Sequence, residues 1–226
     1  DGRFLPEGPA AAFDPATSYA ARSVEVGGRR IQLAWLRDTR SQSANRAAGW
    51  AGALSLPREL SLRPDGRVTV APVAELVGLR IEQLHDGPVA APREVGGVRL
   101  VPGCAGDAVE ADAALEPVPG GSSGLVLGCD DRGDGGVELT VDWAAGTVAG
   151  YDLGPLPDDE PLRVRTFVDA SVVEAFVLGR VVTLRGYDLP AARRAAVRGP
   201  AQVTAWRLAA PPGAHNVGAA GVVTAR

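Results

Sequence analysis

Short runs of alternating apolar and polar residues, separated by turns rich in Gly and Pro, make up most of the chain. Such alternation predicts β-strands, and Pro64-Asp65-Gly66 is a turn signal between two of them. Nine strands are predicted: Tyr19–Val26, Arg30–Leu36, Trp50–Leu56, Val68–Val70, Val137–Val141, Arg163–Val168, Val172–Val177, Arg180–Leu184 and Ala201–Leu208. Evenly spaced short strands after Val98 are typical of a β-sandwich.

One segment, Val73–Leu84, has the 3.6-residue period of a helix instead. Pro72 can begin it, and Asp86 with the following glycine can end it. Gly78 disfavours the helix by about 1 kcal/mol relative to Ala, so tertiary packing must hold it. We expect a short helix that connects two β-rich parts. The residues after 208 have no period and are predicted to form a loosely packed tail.

The composition fits a globular protein of one large unit, or one unit plus a piece, in 226 residues. With 23 basic and 27 acidic residues and no basic stripe, we expect neither nucleic acid nor a membrane surface as a partner. No apolar run reaches the roughly 18 residues of a membrane span. The chain has no Met, and we expect a fragment or a processed product, which leaves the localisation open.

Cys104 and Cys129 are the two cysteines of the chain, and their spacing is neither that of zinc ligands nor that of a redox pair. We therefore expect no metal site, and nothing in the sequence calls for a cofactor. Two interpretations of the thiols stay open: two buried apolar side chains, or a cross-strand disulfide of a secreted protein.

Several sequence motifs occur along the chain in the order known from one protein family. They are G-R-R-I-Q-L-A-W at 28–35, G-W-A-G-A-L-S-L-P-R-E-L at 49–60, P-V-A-E-L at 72–76, F-V-D-A-S-V-V-E-A-F-V at 167–177, and the segment 14–20. They resemble glycoside hydrolase family 32, which includes invertases, levanases and inulinases. Ordered motifs at family-like intervals are more specific than any single motif.

The resemblance implies an all-β fold in which the end of a five-bladed β-propeller is joined by a short helix to a C-terminal β-sandwich. On this chain, residues 1–70 would be the last part of the catalytic propeller and 71–85 the linker helix, followed by the sandwich at 86–208 and a tail at 209–226. The implied partners are a fructose-containing carbohydrate and the remainder of the propeller, in the same protein or as another chain.

The implied function is that of the C-terminal portion of a β-fructosidase, which hydrolyses sucrose or fructans by a retaining mechanism with two carboxyl groups. In the family these groups lie in N-D-P-N-G and E-C motifs, and a third acid lies in R-D-P. The first two motifs are absent, and Arg37-Asp38-Thr39 lacks the Pro of the third. We therefore expect no catalytic residue here and an inactive isolated chain; sucrose, levan and inulin, and hydrolysis or fructosyl transfer, stay open.

Two pairs of residues suggest a rival, catalytic interpretation. Asp169 and Glu174 could serve as acid and nucleophile if a turn between them brought both to one face, but apolar neighbours favour carboxylates held by backbone amides or by Arg163 or Arg165. His85 beside Asp86 could be a base and its orienter, but a histidine at a helix end is more often there for the dipole.

The resemblance also implies substrate contacts close to Trp35. Asp38 can accept two hydrogen bonds from sugar hydroxyls, and Trp50 can cover the apolar face of a ring. Asp14 and Tyr19 are further candidates. Asp38 is predicted to lie in a loop with no apolar period, free to face a substrate.

Packing is the alternative for the aromatic candidates. Trp35 shares its parity with Ile31 and Leu33, which favours a core position, and Trp143 and Trp206 are interpreted in the same way. A free-standing β-sandwich that binds glycans and a purely structural sandwich are the alternative functions.

Overall fold

The computed structural model describes residues 14–91 and 97–209, and the predicted tail lies outside them except for its first residue. The first part is an antiparallel sheet with strand order β1-β2-β4-β5 and with β3 beside β2. Its elements are β1 (Ser18–Val26), β2 (Arg29–Leu36), the helix α1 (Gln42–Ala48), β3 (Ala53–Leu54), β4 (Arg58–Leu62) and β5 (Val68–Pro72). The predicted strands at β1, β2 and β5 are confirmed, whereas the one over Trp50–Leu56 shrinks to two residues.

The helix α1 lies within the segment that was predicted to be a loop. The Ser41 side chain caps it by accepting a hydrogen bond from Ala44 N, and Gly49 ends it in the left-handed conformation, with φ 77°. These are standard start and stop signals. The helix buries no side chain, so it lacks the apolar period that would have revealed it.

The predicted helix over Val73–Leu84 is wrong in its second half. A 3-10 helix spans Ala74–Leu79, and a strand begins at Arg80. This strand pairs along its whole length with the last strand of the chain, from Arg80 opposite Leu208 to Val89 opposite Ala201. The ladder of backbone hydrogen bonds outweighs the modest helical propensity of a segment that contains Gly78.

The rest of the chain forms a β-sandwich. Its strands are β6 (Arg80–Val89), β7 (Arg99–Ala105), β8 (Ala108–Leu115), β9 (Ser122–Cys129), β10 (Val137–Asp142), β11 (Thr147–Val148), β12 (Leu162–Asp169), β13 (Val172–Val177), β14 (Arg180–Arg185), β15 (Arg194–Arg198) and β16 (Ala201–Leu208). One sheet has the order β14-β13-β12-β8-β16-β6 and the other β11-β10-β9-β15-β7. Alternate Val, Leu and Ala side chains of both sheets form the main core between them. No helix in the described ranges is long and apolar enough to cross a bilayer.

The first sheet packs on the outer face of the six-stranded sheet. A second apolar cluster joins them, with Val70 from one side and Phe167, Phe176 and Val181 from the other. The two phenylalanine rings meet edge to face with centroids 6.0 Å apart. Burying each such ring stabilises the contact by roughly 1.5–3 kcal/mol. The interface between the two units is therefore a packed core.

The side of β2 that is buried is the reverse of the predicted one. Gln32, Ala34 and Leu36 are buried against the sandwich, whereas Leu33 and Trp35 are each 43% exposed. The expectation of a core position for Trp35 is wrong within this chain. On the more apolar face, Ile31 packs against the second apolar cluster, whereas Leu33 and Trp35 stay largely exposed.

Candidate functional site

The aromatic candidates Tyr19, Trp35 and Trp50 are all exposed, by 58%, 43% and 39% of their surface. Tyr19 lies opposite Trp35 on neighbouring strands, and their rings meet edge to face at 6.1 Å. The indole of Trp35 lies directly against Gly52, because a Cβ atom on Gly52 would be 2.1 Å from its Nε1. Side chains from β1 and β2 and the backbone before β3 therefore form one surface.

Gly52 also connects this surface to Asp38. The Gly52 N–H donates to Asp38 Oδ2 at 3.3 Å. Arg40 donates to the same carboxylate from its backbone N at 2.9 Å, from Nε at 3.0 Å and from Nη2 at 2.8 Å. The Asp38 side chain is 4% exposed. The expectation of a free surface carboxylate is therefore wrong, and a role of Asp38 in substrate binding stays a prediction.

The hydrogen bonds from the Arg40 side chain are the main cause that holds the pKa of Asp38 well below its usual range. Burial opposes this effect, and the backbone N–H groups of Arg40 and Gly52 and the Tyr187 hydroxyl add to it. Asp38 therefore stays an anion, because hydrogen bonds that donate to a carboxylate favour its charged form.

Trp50 stacks on the guanidinium of Arg40, which also contacts a second aromatic ring. The Arg40 guanidinium lies 4.1 Å from the centroid of the Trp50 ring and 4.5 Å from that of Tyr187, which belongs to the segment after β14. Arg40 Nη2 also donates to the Trp50 carbonyl at 3.2 Å. Asp38 and Trp50 are thus connected through Arg40, and Trp50 keeps one part of its ring exposed.

Asp14 and Tyr19 line a common cleft. The cleft has a volume of about 160 Å³, and Ser18, Gln32 and Arg58 complete its polar lining. A hydroxyl, an amide and an aromatic ring are groups that recognise sugar hydroxyls and ring faces, whereas the Asp14 carboxylate is only 1% exposed. A larger cleft, of about 270 Å³, lies between the turn after β4 and the sandwich, and none of the predicted site residues lines it.

The floor of the smaller cleft is a buried ionic network around Arg58. Its side chain is 0% exposed. It donates from Nη2 to Asp14 Oδ2 at 3.0 Å, to Glu174 Oε2 at 2.5 Å and to Thr183 Oγ1 at 2.8 Å. Leu56 N donates to the other oxygen of Glu174 at 2.6 Å. The network joins the first sheet to the sandwich and fixes Asp14 at the edge of the cleft.

Asp169 and Glu174 do share one face, because β12 and β13 form a hairpin whose turn is Ala170-Ser171. Asp169 pairs with Val172, and Glu174 follows two residues later on the same side. Glu174 is nevertheless fully engaged by Leu56 and Arg58. Its structural interpretation is confirmed, but the arginine that holds it is neither Arg163 nor Arg165.

Arg165 binds Glu110 instead, with Nε 2.6 Å from Oε1. Burial is the main cause that raises the pKa of Glu174, and Arg58 opposes it.

The remaining candidates have packing partners. His85 lies in β6, where its Nε2 is 3.3 Å from the Gly87 carbonyl, while Asp86 accepts from Thr204. Trp143 donates to Ser123 Oγ at 2.8 Å. The Arg80 guanidinium lies over the Trp206 ring, with its Cζ 3.5 Å from the ring centroid. The packing interpretation of both indoles is thereby favoured.

Cys104 and Cys129 are free, buried thiols. The first belongs to the core between the sheets and the second to a small cluster with Val126 and Ala196. The interpretation as two buried side chains is confirmed, and the disulfide alternative is wrong. No group of three or more metal-ligating side chains occurs within residues 14–91 and 97–209.

Comparison with known proteins agrees with these features. Residues 1–72 match the model of the glycosyl hydrolases family 32 N-terminal domain. A raffinose invertase of Escherichia coli is 34% identical over 188 residues, which are 77% of this chain and 37% of the invertase. These matches support glycoside hydrolase family 32 as the family of this chain.

Two further proteins extend the comparison. A sucrose-6-phosphate hydrolase of Zymomonas mobilis is 28% identical over 198 residues, or 78% of this chain and 38% of that protein. The structure of fructan 1-exohydrolase IIa from Cichorium intybus in complex with 1-kestose has a TM-score of 0.68, at 19% identity, over 88% of this chain and 49% of that one. The all-β fold of a propeller end and a β-sandwich is confirmed. The chain spans less than half the length of these relatives.

Sequence reasoning missed the residues that connect the two units of this chain. Arg58 lies in the quoted segment 49–60, but it was not singled out, because a P-R pair gives no sign that the guanidinium is buried. Arg40 and Tyr187 come from segments without any period, and their contact is formed by the packing of the two units.

Proposed function

We propose that this chain is the C-terminal portion of a β-fructosidase that hydrolyses sucrose or fructans by a retaining mechanism, with the catalytic carboxylates outside the chain. The observation that carries the proposal is the continuous row of Tyr19, Trp35, Gly52, Asp38 and Trp50 at one end of the first sheet. The names of the related proteins, among them invertase, levanase and fructan exohydrolase, support fructosides as the substrate class.

The carboxylates near the row do not suit the chemistry themselves. A retaining glycosidase needs two carboxyl groups about 5–5.5 Å apart, both in reach of the substrate. Asp14 and Glu174 bind one guanidinium nitrogen, Arg58 Nη2, so they lie close together. Both side chains are 2% exposed or less. A buried pair that shares one arginine has no access to a glycosidic bond.

In this proposal the residues of the chain bind and orient the substrate. Tyr19 and the cleft below it contact a sugar through hydrogen bonds from Ser18 and Gln32. Trp35 and Trp50 cover the apolar faces of sugar rings, and Asp38 keeps the segment between them in place through Arg40. Each of these contacts raises the fraction of time that a substrate spends in a reactive orientation.

The partner of the first sheet is the remainder of the propeller, as part of the same protein or as another chain. Tyr19, Val24, Leu33, Trp35 and Leu54 lie on one face of that sheet, and each is at least 43% exposed. An apolar face of this extent is characteristic of an interface. The strand β1, at the edge of the sheet, offers unpaired backbone groups next to it.

The test is an activity assay of the purified chain, alone and joined to its upstream coding sequence. We expect no release of glucose from sucrose by the chain alone and release by the longer protein. Turnover by the chain alone that persists at constant specific activity through purification would refute the proposal. A saturable calorimetric titration of the inactive chain with levan or inulin, together with an inactive longer protein, would favour the free-standing carbohydrate-binding module instead.

A further inference from the structure

The segment between β2 and β3, residues 37–52, contains Asp38, Arg40, Trp50 and the helix α1, and we call it the rim loop. Its helix buries no side chain. The loop therefore gains little from apolar burial of its own, and another part of the molecule must fix its conformation.

That part is the sandwich segment at Tyr187. The Tyr187 ring covers the Arg40 guanidinium at 4.5 Å, on which Trp50 also packs. The Tyr187 hydroxyl accepts a hydrogen bond from Thr39 N at 3.4 Å. One tyrosine thus contacts the side chain and the backbone of the rim loop.

Arg185 adds a second connection at the beginning of the rim loop. Its Nη1 donates to the Leu36 carbonyl at 3.3 Å, and its Nη2 donates to Ser171 Oγ at 3.1 Å. The guanidinium also lies 5.2 Å from the Tyr187 ring. The sandwich therefore holds the end of β2 and the first residues of the rim loop together.

We propose that Tyr187 is a positioning residue by which the β-sandwich fixes Asp38 and Trp50, mainly through its stack on Arg40. The sandwich then sets the geometry of a substrate-facing rim that belongs to the other unit. The assignment of the rim to a substrate rests on the proposed function, whereas the contact between the units does not.

Limited proteolysis of the 226-residue chain with trypsin tests the contact. Trypsin must take the Arg40 side chain into its own pocket, so cleavage after Arg40 requires this side chain to leave Trp50 and Tyr187. In Tyr187→Ala we expect cleavage after Arg40, mapped by mass spectrometry, to be about tenfold faster, as for the loss of a partly buried cation–π contact. Tyr187→Phe keeps the ring and should stay within about threefold of the wild type.

Two further variants separate positioning from loss of stability. Tyr151→Ala removes a tyrosine that packs on the sandwich core and should leave cleavage after Arg40 within about twofold of the wild type. Tyr187→Leu keeps apolar packing while it removes the stack, and it replaces Tyr187→Ala if the latter does not fold. Equal cleavage of Tyr187→Leu and the wild type, or equal acceleration by Tyr151→Ala, would overturn the proposal.

Kinetics of the longer protein test the role in substrate binding. There we expect Tyr187→Ala to raise KM for sucrose by about threefold or more with kcat within about twofold, and Tyr187→Phe to restore KM. A lower kcat with an unchanged KM would contradict a positioning role at the rim. A wild-type protein without any turnover would refute the proposed function and leave the proteolysis result unaffected.

Discussion

Replacement of Arg58 by Met should be the most destabilising single change in the interface between the two units. The guanidinium is fully buried and makes hydrogen bonds to Asp14, Glu174 and Thr183. Methionine fills part of the volume but leaves two carboxylates without their cation. Breaking a buried ion pair by removing one partner costs about 3–5 kcal/mol.

The cost should depend on pH in a definite direction. Burial already raises the pKa of Glu174 and Arg58 opposes this rise, so the variant raises that pKa further. The pKa of an unfolded glutamate is about 4.3. A carboxyl group whose pKa is higher in the folded state contributes to stability at pH values below its unfolded pKa. It loses this contribution as the pH rises through its folded pKa. The deficit of Arg58→Met should therefore be smaller at pH 5 than at pH 7.5.

The assay is equilibrium unfolding in urea, followed by tryptophan fluorescence at both pH values. Arg29→Met is the matched control, because Arg29 binds Glu59 and Glu75 with its side chain 34% exposed, and it should change the free energy of unfolding by no more than about 1 kcal/mol. The double variant Arg58→Met with Glu174→Gln should recover part of the loss. Equal costs for Arg58→Met and Arg29→Met, or a deficit that is larger at pH 5, would refute the reasoning.

Two substitutions and one labelling experiment address the rim loop and the thiols. Asp38→Ala should lower the free energy of unfolding by about 1–3 kcal/mol, because Arg40 and the Gly52 N–H lose their acceptor. Since the pKa of Asp38 is depressed in the folded state, this difference should shrink as the pH falls below about 4. A difference that grows in acid would contradict the prediction. Gly52→Ala should displace the Trp35 indole and shift its fluorescence, whereas Gly49→Ala, which has a similar positive φ but nothing within 4 Å of the added Cβ, should not. Burial raises the pKa of both Cys104 and Cys129 to about 11. Iodoacetamide should therefore label the native chain at pH 8 about 100-fold more slowly than the urea-unfolded chain. Equal labelling rates would show that the thiols are accessible.

The sequence predicts the strands of the sandwich well, because their alternating side chains face a core that lies within the chain. Val172–Val177 and Ala201–Leu208, for example, have the predicted bounds. The same rule fails at β2. There Ile31, Leu33 and Trp35 form the more apolar parity, but Gln32 and Ala34 of the opposite one are more deeply buried. Alternation shows which face is apolar, but it does not show whether the covering surface belongs to the same chain.

The residues of the candidate site were named from the sequence, but the contacts that connect them were not, and their role in substrate binding stays a prediction. Tyr19, Trp35, Asp38 and Trp50 were proposed from sequence motifs, and they do form one row. Tyr187 was not, because its contact with Arg40 joins residues 147 positions apart in a segment without period or motif. Such contacts depend on how two finished units pack, which local patterns do not encode.

The buried arginine has a consequence for recombination between related genes. A crossover at the linker, between β5 and β6, would pair the sandwich of one parent with the first unit of another. Glu174 would then depend on the other parent for the guanidinium that binds it here, and a parent without an arginine at position 58 would leave the buried acid with no cation. Hybrids should therefore fold where both parents carry this arginine and this acid, so the two units can be exchanged only as a matched set although they look like separable modules.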